Sequence, residues 1–234
     1  MKVVKAVLTY FKPYEWALLI VSLFASIFFY FYFHSTQYLY LFGSIVGFFA
    51  ILFAAKGSPV GPFLMVVFSI FYGIVSYTYK YYGEMITYLG MTGLIALISF
   101  ISWILHPSKE RGVVETRKIS WKEFAVINGI SAVVTVAFYF ILKALGTNNL
   151  IISTVSVFTS FSAVVFELRR SKYYSLFYMA NDIVLIVMWS LAAQDNPEYF
   201  SLVICFAAFF INDVYGFISW TILERRQIEV KEED

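Results

Sequence analysis

Of 234 residues, 61% are hydrophobic and 14% charged, against roughly 45–50% apolar and 25% charged in soluble domains, so a water-soluble globular fold is excluded. The net charge of +2 is spread over dispersed basic residues, which excludes the concentrated patch that a nucleic-acid partner requires. The single cysteine, Cys205, lies in an apolar run, which excludes an intrachain disulfide and any cysteine-based zinc centre.

Lys2 and Lys5 precede the first apolar stretch, Tyr14–Phe33. It is too long for the hydrophobic region of a signal peptide and has no small-x-small cleavage site, so it reads as a first membrane span. A helix needs about 20 apolar residues to cross a hydrocarbon core of about 30 Å. Stretches of that kind follow at Gln37–Ala55, Val60–Tyr79, Glu84–His106, Glu123–Leu145, Asn149–Glu167, Lys172–Leu191 and Glu198–Ile222. The predicted class is an all-α polytopic membrane protein with eight transmembrane helices in the cell membrane. Cytoplasmic loops collect Lys and Arg. With both termini cytoplasmic, 15 of the 17 basic residues fall inside, leaving only Lys80 and Lys143 outside. Dropping one span would flip every later loop and destroy that split.

The loop 107–122 divides the chain near its midpoint, and the sequence echoes itself on either side. Phe100-Ile101-Ser102-Trp103 closes span four, and Phe217-Ile218-Ser219-Trp220 closes span eight at an offset of 117. Glu15-Trp16-Ala17 is matched more weakly by Glu123-Phe124-Ala125. The predicted organisation is an N-terminal repeat over 1–106, a cytoplasmic linker over 107–122, a C-terminal repeat over 123–226 and a charged tail over 227–234. Four crossings per unit make the repeats parallel, an architecture that places transporter sites near the midplane where the halves meet.

Ionisable groups inside a span are costly and mark function unless they reach an interface. Lys80, Lys143, Glu84, Glu167, Glu198, His34 and His106 lie at span ends and are read as interfacial. The exceptions are Asn181-Asp182 in span seven and Asn212-Asp213 in span eight, nine or ten residues from their cytoplasmic ends and so about 13–15 Å deep. On span seven, Tyr174, Phe177, Tyr178, Asn181, Asp182 and Trp189 recur at helical spacing. On span eight Asn212, Tyr215, Gly216 and Ser219 do likewise, and both faces are expected to border one cavity. The first half offers Ser44, Ser69, Tyr72 and Gly73, and carries Ile95 and Ala96 where the second carries Asn212 and Asp213. Helix-to-helix hydrogen bonding is the competing role for such residues. The inventory of carboxylates, amides, hydroxyls and ring faces, without Lys or Arg at depth, suits a neutral or cationic solute with a flat ring and several hydroxyls.

Four stretches carry a family resemblance: Lys56-Gly57-Ser58-Pro59-Val60-Gly61, Tyr81-Tyr82-Gly83-Glu84-Met85-Ile86-Thr87-Tyr88, Asn181-Asp182-Ile183-Val184-Leu185-Ile186-Val187-Met188-Trp189 and Ile211-Asn212-Asp213-Val214-Tyr215-Gly216-Phe217. Over about residues 37–226 the chain resembles the PnuC-type nicotinamide riboside transporters. The resemblance implies facilitated diffusion of a vitamin B3 nucleoside trapped by intracellular phosphorylation. It also implies a SWEET-like pair of three-helix bundles, with span one added and span five as linker helix. Nicotinamide riboside is a pyridinium cation without phosphate, in agreement with the inventory. Many members carry Trp-x-x-Trp-x-x-x-Asn where this chain has Tyr174, Phe177 and Asn181, so the spacing is kept and both tryptophans are replaced.

The substrate-binding set read from the sequence is therefore Asn181, Asp182, Tyr174, Phe177, Tyr178, Asn212, Asp213, Tyr72 and Trp189. No catalytic group, metal or cofactor is expected, and the partners are the small solute and the lipid bilayer, with a homo-oligomer left open. The alternatives are a proton-coupled carrier of thiamine or another cationic aromatic vitamin, a receptor or assembly subunit that binds without flux, and an intramembrane enzyme. The last is disfavoured because the two histidines end different spans and no nucleophile and base pair up. No G-x-x-x-x-G-K-[ST] phosphate loop occurs, so ATP-driven pumping is not expected.

Overall fold

The computed structural model describes residues 10–35 and 38–232, so Lys2, Lys5 and Gln37 lie outside the described residues. Eight helices there are long and apolar enough to cross a membrane: α1 (Pro13–Tyr32), α2 (Tyr38–Ala55), α3 (Val60–Thr78), α4 (Tyr82–Leu105), α5 (Trp121–Ala144), α6 (Leu150–Leu168), α7 (Tyr173–Asp195) and α8 (Phe200–Glu232). The chain is a multi-pass membrane protein. The only β feature among the described residues is an isolated bridge between Pro107 and Val114.

Local chemistry sets the helix ends. Pro13 opens α1, and Glu15 reaches back to the Lys12 amide at 2.6 Å, satisfying a donor that the helix leaves free. Ser120 caps α5 by accepting from the Glu123 amide at 3.2 Å. The α2–α3 turn needs a left-handed residue, supplied by Gly57 at φ 69°, and a Cβ there would stand 3.0 Å from Leu223 and Val113. Inside α4 the α-helix gives way to a π-helical stretch over Thr87–Thr92, a local widening that frequently marks functional sites.

The helices sort by what they bury. α2, α3 and α4 pack together, α6, α7 and α8 pack together, and the two groups meet along α2–α8 and α4–α6. α5 leans on α6, and α1 leans on α8 and α2. Val21, Phe24 and Phe28 of α1 and Val126, Val133 and Phe140 of α5 are exposed, as expected of helices that turn a broad apolar face to lipid. Glu15 anchors α1 through Lys56 Nζ at 3.1 Å and the Tyr215 hydroxyl.

The linker is tied down rather than loose. The Val114 amide donates to Gly57 O at 2.8 Å, the Thr116 amide donates to Gln227 Oε1 at 2.8 Å, and Gln227 Nε2 donates to Val114 O at 3.0 Å. Residues expected as a separate charged tail from 227 onward continue α8 as far as Glu232. Both described chain ends and the linker thus share one face of the bundle, called the linker face below.

Trp103 and Trp220, the matched ends of the sequence echo, meet with ring centroids 5.3 Å apart. The Trp103 indole donates to Glu167 O on α6 at 3.0 Å, and the Trp220 indole donates to Ala54 O on α2 at 2.7 Å. Each half therefore hands an indole to the first bundle helix of the other.

Candidate functional site

Where the two groups of three helices meet, a small chamber is lined by Gly47 and Ile51 of α2, Met65 and Phe68 of α3, Tyr88 of α4, Tyr178 and Asp182 of α7, and Phe206, Phe209 and Asp213 of α8. Both carboxyl groups expected at depth open onto it. No Lys, Arg or His lines it. Its volume is about 20 Å³, room for about one water and far below the roughly 300–1,000 Å³ of a small-molecule pocket. Rings fill the rest: Tyr72 and Tyr88 meet edge to face at 4.4 Å, Phe68 and Phe209 at 5.6 Å, and Phe206 and Phe209 at 5.6 Å.

Asn181, expected to border the cavity, is not among the lining residues and stands behind Tyr88 in a satisfied network. Its Oδ1 accepts from Thr159 Oγ1 at 2.7 Å and Ser156 Oγ at 3.1 Å, and its Nδ2 donates to the Tyr88 hydroxyl at 3.1 Å. Three partners from two neighbouring helices fix the amide's orientation, which is what recognition of a polar solute group requires. Asp182 Oδ2 is buried without a hydrogen-bond partner, so one acceptor remains for a ligand at the chamber wall.

The other expected site residues divide. Tyr178 lines the chamber and donates to Glu167 Oε2 at 3.1 Å. Tyr174 lies deeper toward the linker face, against Trp220 at 5.1 Å. Trp189 and Tyr72 close the far side, the indole donating to the Tyr72 hydroxyl at 3.0 Å, with Tyr79, Tyr81 and Tyr199 around the indole. Phe177 faces elsewhere, stacked on Phe166 at 5.2 Å beside Phe124 and Phe158. The polar face of α8 does not border the chamber as a unit. Asn212 donates to Ser22 of α1 at 2.9 Å, Tyr215 donates to Glu15 of α1, and Ser219 donates to Ala55 O of α2 at 2.7 Å. These three groups hold helices together, and Asp213, one residue round the helix from Asn212, alone turns inward. In the first half, Ser44 and Ser69 donate to their own helix at 2.9 and 2.7 Å.

Reading from sequence position missed two groups. Glu84 and Glu167, placed at interfaces by their nearness to span ends, are 0% and 1% exposed. It also passed over Tyr88 as a site residue, although Glu84 and Tyr88 stand four apart and share one helix face. A larger groove, about 770 Å³, lies elsewhere, on the linker face beside Glu15 and Glu110, and takes in Lys12, Lys56, Arg111 and Arg226. It does not share the acidic chemistry of the chamber.

The profile of the nicotinamide mononucleotide transporter family matches residues 37–222. The chain belongs to this family. Within it, the chain is 26% identical over 217 residues to the nicotinamide riboside transporter PnuC of Neisseria mucosa, covering 90% of this chain and 81% of that protein. It is 22% identical over 217 residues to the nicotinamide riboside transporter PnuC of Haemophilus influenzae, covering 92% of each. The fold matches the crystal structure of the vitamin B3 transporter PnuC with a TM-score of 0.82 at 24% identity, over 93% of this chain and 94% of that one. At that identity the structural likeness establishes the fold. Membership makes the chain a transporter by family and leaves the choice of solute to the chamber.

Proposed function

We propose that this chain carries nicotinamide riboside across the cell membrane by facilitated diffusion, with its linker face cytoplasmic and intracellular phosphorylation trapping the solute. The observation that carries the proposal is the central chamber, lined by two carboxyl groups and a cage of rings with no basic residue, with the oriented Asn181 amide bonded to the hydroxyl of the lining Tyr88. A pyridinium cation bearing a ribose suits each of these, the ring against aromatic faces and the hydroxyls against carboxyl and amide oxygens. The family profile is described by the mononucleotide, whereas the two curated relatives are riboside transporters. The chamber favours the riboside, because a phosphate would face Asp182 and Asp213 with no cation to offset the repulsion.

The site is assigned to Asn181, Asp182, Asp213, Tyr88 and Tyr178, with Tyr72–Trp189 closing the far side and Trp103–Trp220 the linker side. Tyr72 and Trp189, like Trp103 and Trp220, are 117 positions apart. Equivalent residues of two parallel repeats touch only where they approach the axis relating them, which supports two like-oriented halves rocking about these contacts. The solute leaves chemically unchanged, since transport alone is assigned here.

Counterflow in proteoliposomes tests the proposal. Labelled nicotinamide riboside should accumulate against a preloaded unlabelled pool, compete with excess riboside, and be unaffected by the mononucleotide. Accumulation of labelled mononucleotide or thiamine in place of the riboside would reject it.

A further inference from the structure

Glu84 and Glu167 are the most costly groups that the central site leaves unexplained. Each is a carboxyl in the bundle interior without a cationic partner among the described residues, an arrangement that packing alone does not favour. Glu84 lies near the far end of α4, and neither of its carboxyl oxygens has a hydrogen-bond partner. The Ser156 hydroxyl lies beside it, and that hydroxyl's single proton is committed to Asn181 Oδ1 at 3.1 Å. Glu167 lies near the opposite end of α6, bound to the Tyr178 hydroxyl, whose ring walls the chamber. The two acids thus flank the Asp182–Asp213 layer, one toward each membrane face. Each is one hydroxyl away from the central site. Each also stands by one aromatic closure: Glu84 two residues beyond the α4 start beside Tyr81, and Glu167 accepting at its main-chain oxygen from Trp103.

We propose that Glu84 and Glu167 are outer and inner stations for a cationic solute, holding its positive charge as it passes each aromatic closure on the way to and from the central pair. The chamber offers acidic oxygens only at its middle. Without acceptors at the closures, a monovalent cation would cross two aromatic layers in low dielectric with nothing to replace its water. With them, every stage of the path presents a carboxyl. This rests on nicotinamide riboside being the solute, and assigns charge selection to two residues outside the binding chamber.

Nicotinamide riboside and its reduced dihydropyridine form have nearly the same shape and differ in charge, so they separate charge recognition from packing. Influx and efflux are measured for both solutes in oriented proteoliposomes with Glu84→Gln and Glu167→Gln, each near-isosteric. Glu84→Gln should raise the influx KM for the cation about tenfold while leaving the reduced form within about twofold. Glu167→Gln should do the same to efflux and leave influx KM unchanged. Glu84→Asp should restore most of the cation preference. Equal losses for both solutes, or an unchanged cation-to-neutral ratio in either folded variant, would overturn the proposal. Should Glu84→Gln not fold, efflux in Glu167→Gln decides alone by the same ratio. Wild-type protein that carries neither solute would remove the proposed function itself, a result distinct from wild-type flux with insensitive variants.

Discussion

Replacing Asn181 by alanine separates a binding role from a packing role. The side chain makes three hydrogen bonds, to Thr159, Ser156 and Tyr88. After truncation Thr159 still has carbonyls of its own helix within reach, Ser156 O at 3.1 Å and Val155 O at 3.3 Å. Ser156 can turn its proton to the idle Glu84 carboxyl, and the Tyr88 hydroxyl becomes free to donate elsewhere. Only one or two bonds are therefore lost in effect, about 1–2 kcal/mol of stability at roughly 1 kcal/mol each. In a chain of this size that is a fall of about 2–8 °C in Tm. Transport should suffer more, because a solute amide or hydroxyl loses its oriented partner inside a dry site. A loss of ~2.7 kcal/mol there corresponds to about 100-fold in kcat/KM. The assay is riboside counterflow, paired with a thermal melt and a size-exclusion profile in detergent. Tyr88→Phe removes one of the three bonds and should cost about a third of the effect, with non-additivity of about 0.5–1 kcal/mol in the double variant. Near-normal counterflow in a folded Asn181→Ala protein would refute the site.

Three further outcomes are expected. A Cβ at Gly47 would stand 2.5 Å from the Phe209 ring and 3.1 Å from Phe68, so Gly47→Val should fill the chamber, cost ~1–3 kcal/mol of stability by overpacking and abolish counterflow; unaltered transport would show that the solute passes elsewhere. Collapse of the proton gradient should leave riboside uptake unchanged in rate, and a proportional fall would establish coupling to protons. At the linker face, the hydrogen bond from Lys231 holds Glu115 below the usual carboxylate range. The contact therefore stabilises above about pH 4.3, the ordinary glutamate value, and its contribution fades as pH falls through the lowered value. Being exposed, it is worth a few tenths of a kcal/mol, so melts of Glu115→Gln should differ slightly from wild type at neutral pH and converge in acid.

The placement of eight spans was legible in the sequence because it depends on a local quantity, the length of apolar chain needed to cross a hydrocarbon layer. Observed helices start and stop within a few residues of the expected stretches, α8 alone running well past its expected end to Glu232. The burial of Asn181, Asp182 and Asp213 was legible for a related reason: a polar group many residues from either end of an apolar run has no interface to reach, so it must face protein. What sequence position could not supply is the direction in which a side chain leaves its helix and what the neighbouring helix offers there. Asn212 and Asp213 are adjacent and equally deep, yet one is bonded to Ser22 of α1 and the other opens onto the chamber. Glu84 and Glu167 are close to span ends, yet helices packed around them seal both from solvent. Phe177 keeps the family spacing and still turns to Phe166. Depth in a membrane is counted along the chain, whereas lateral burial is decided by which helices come together, so the sequence determined the layer of the site and the tertiary packing determined its membership.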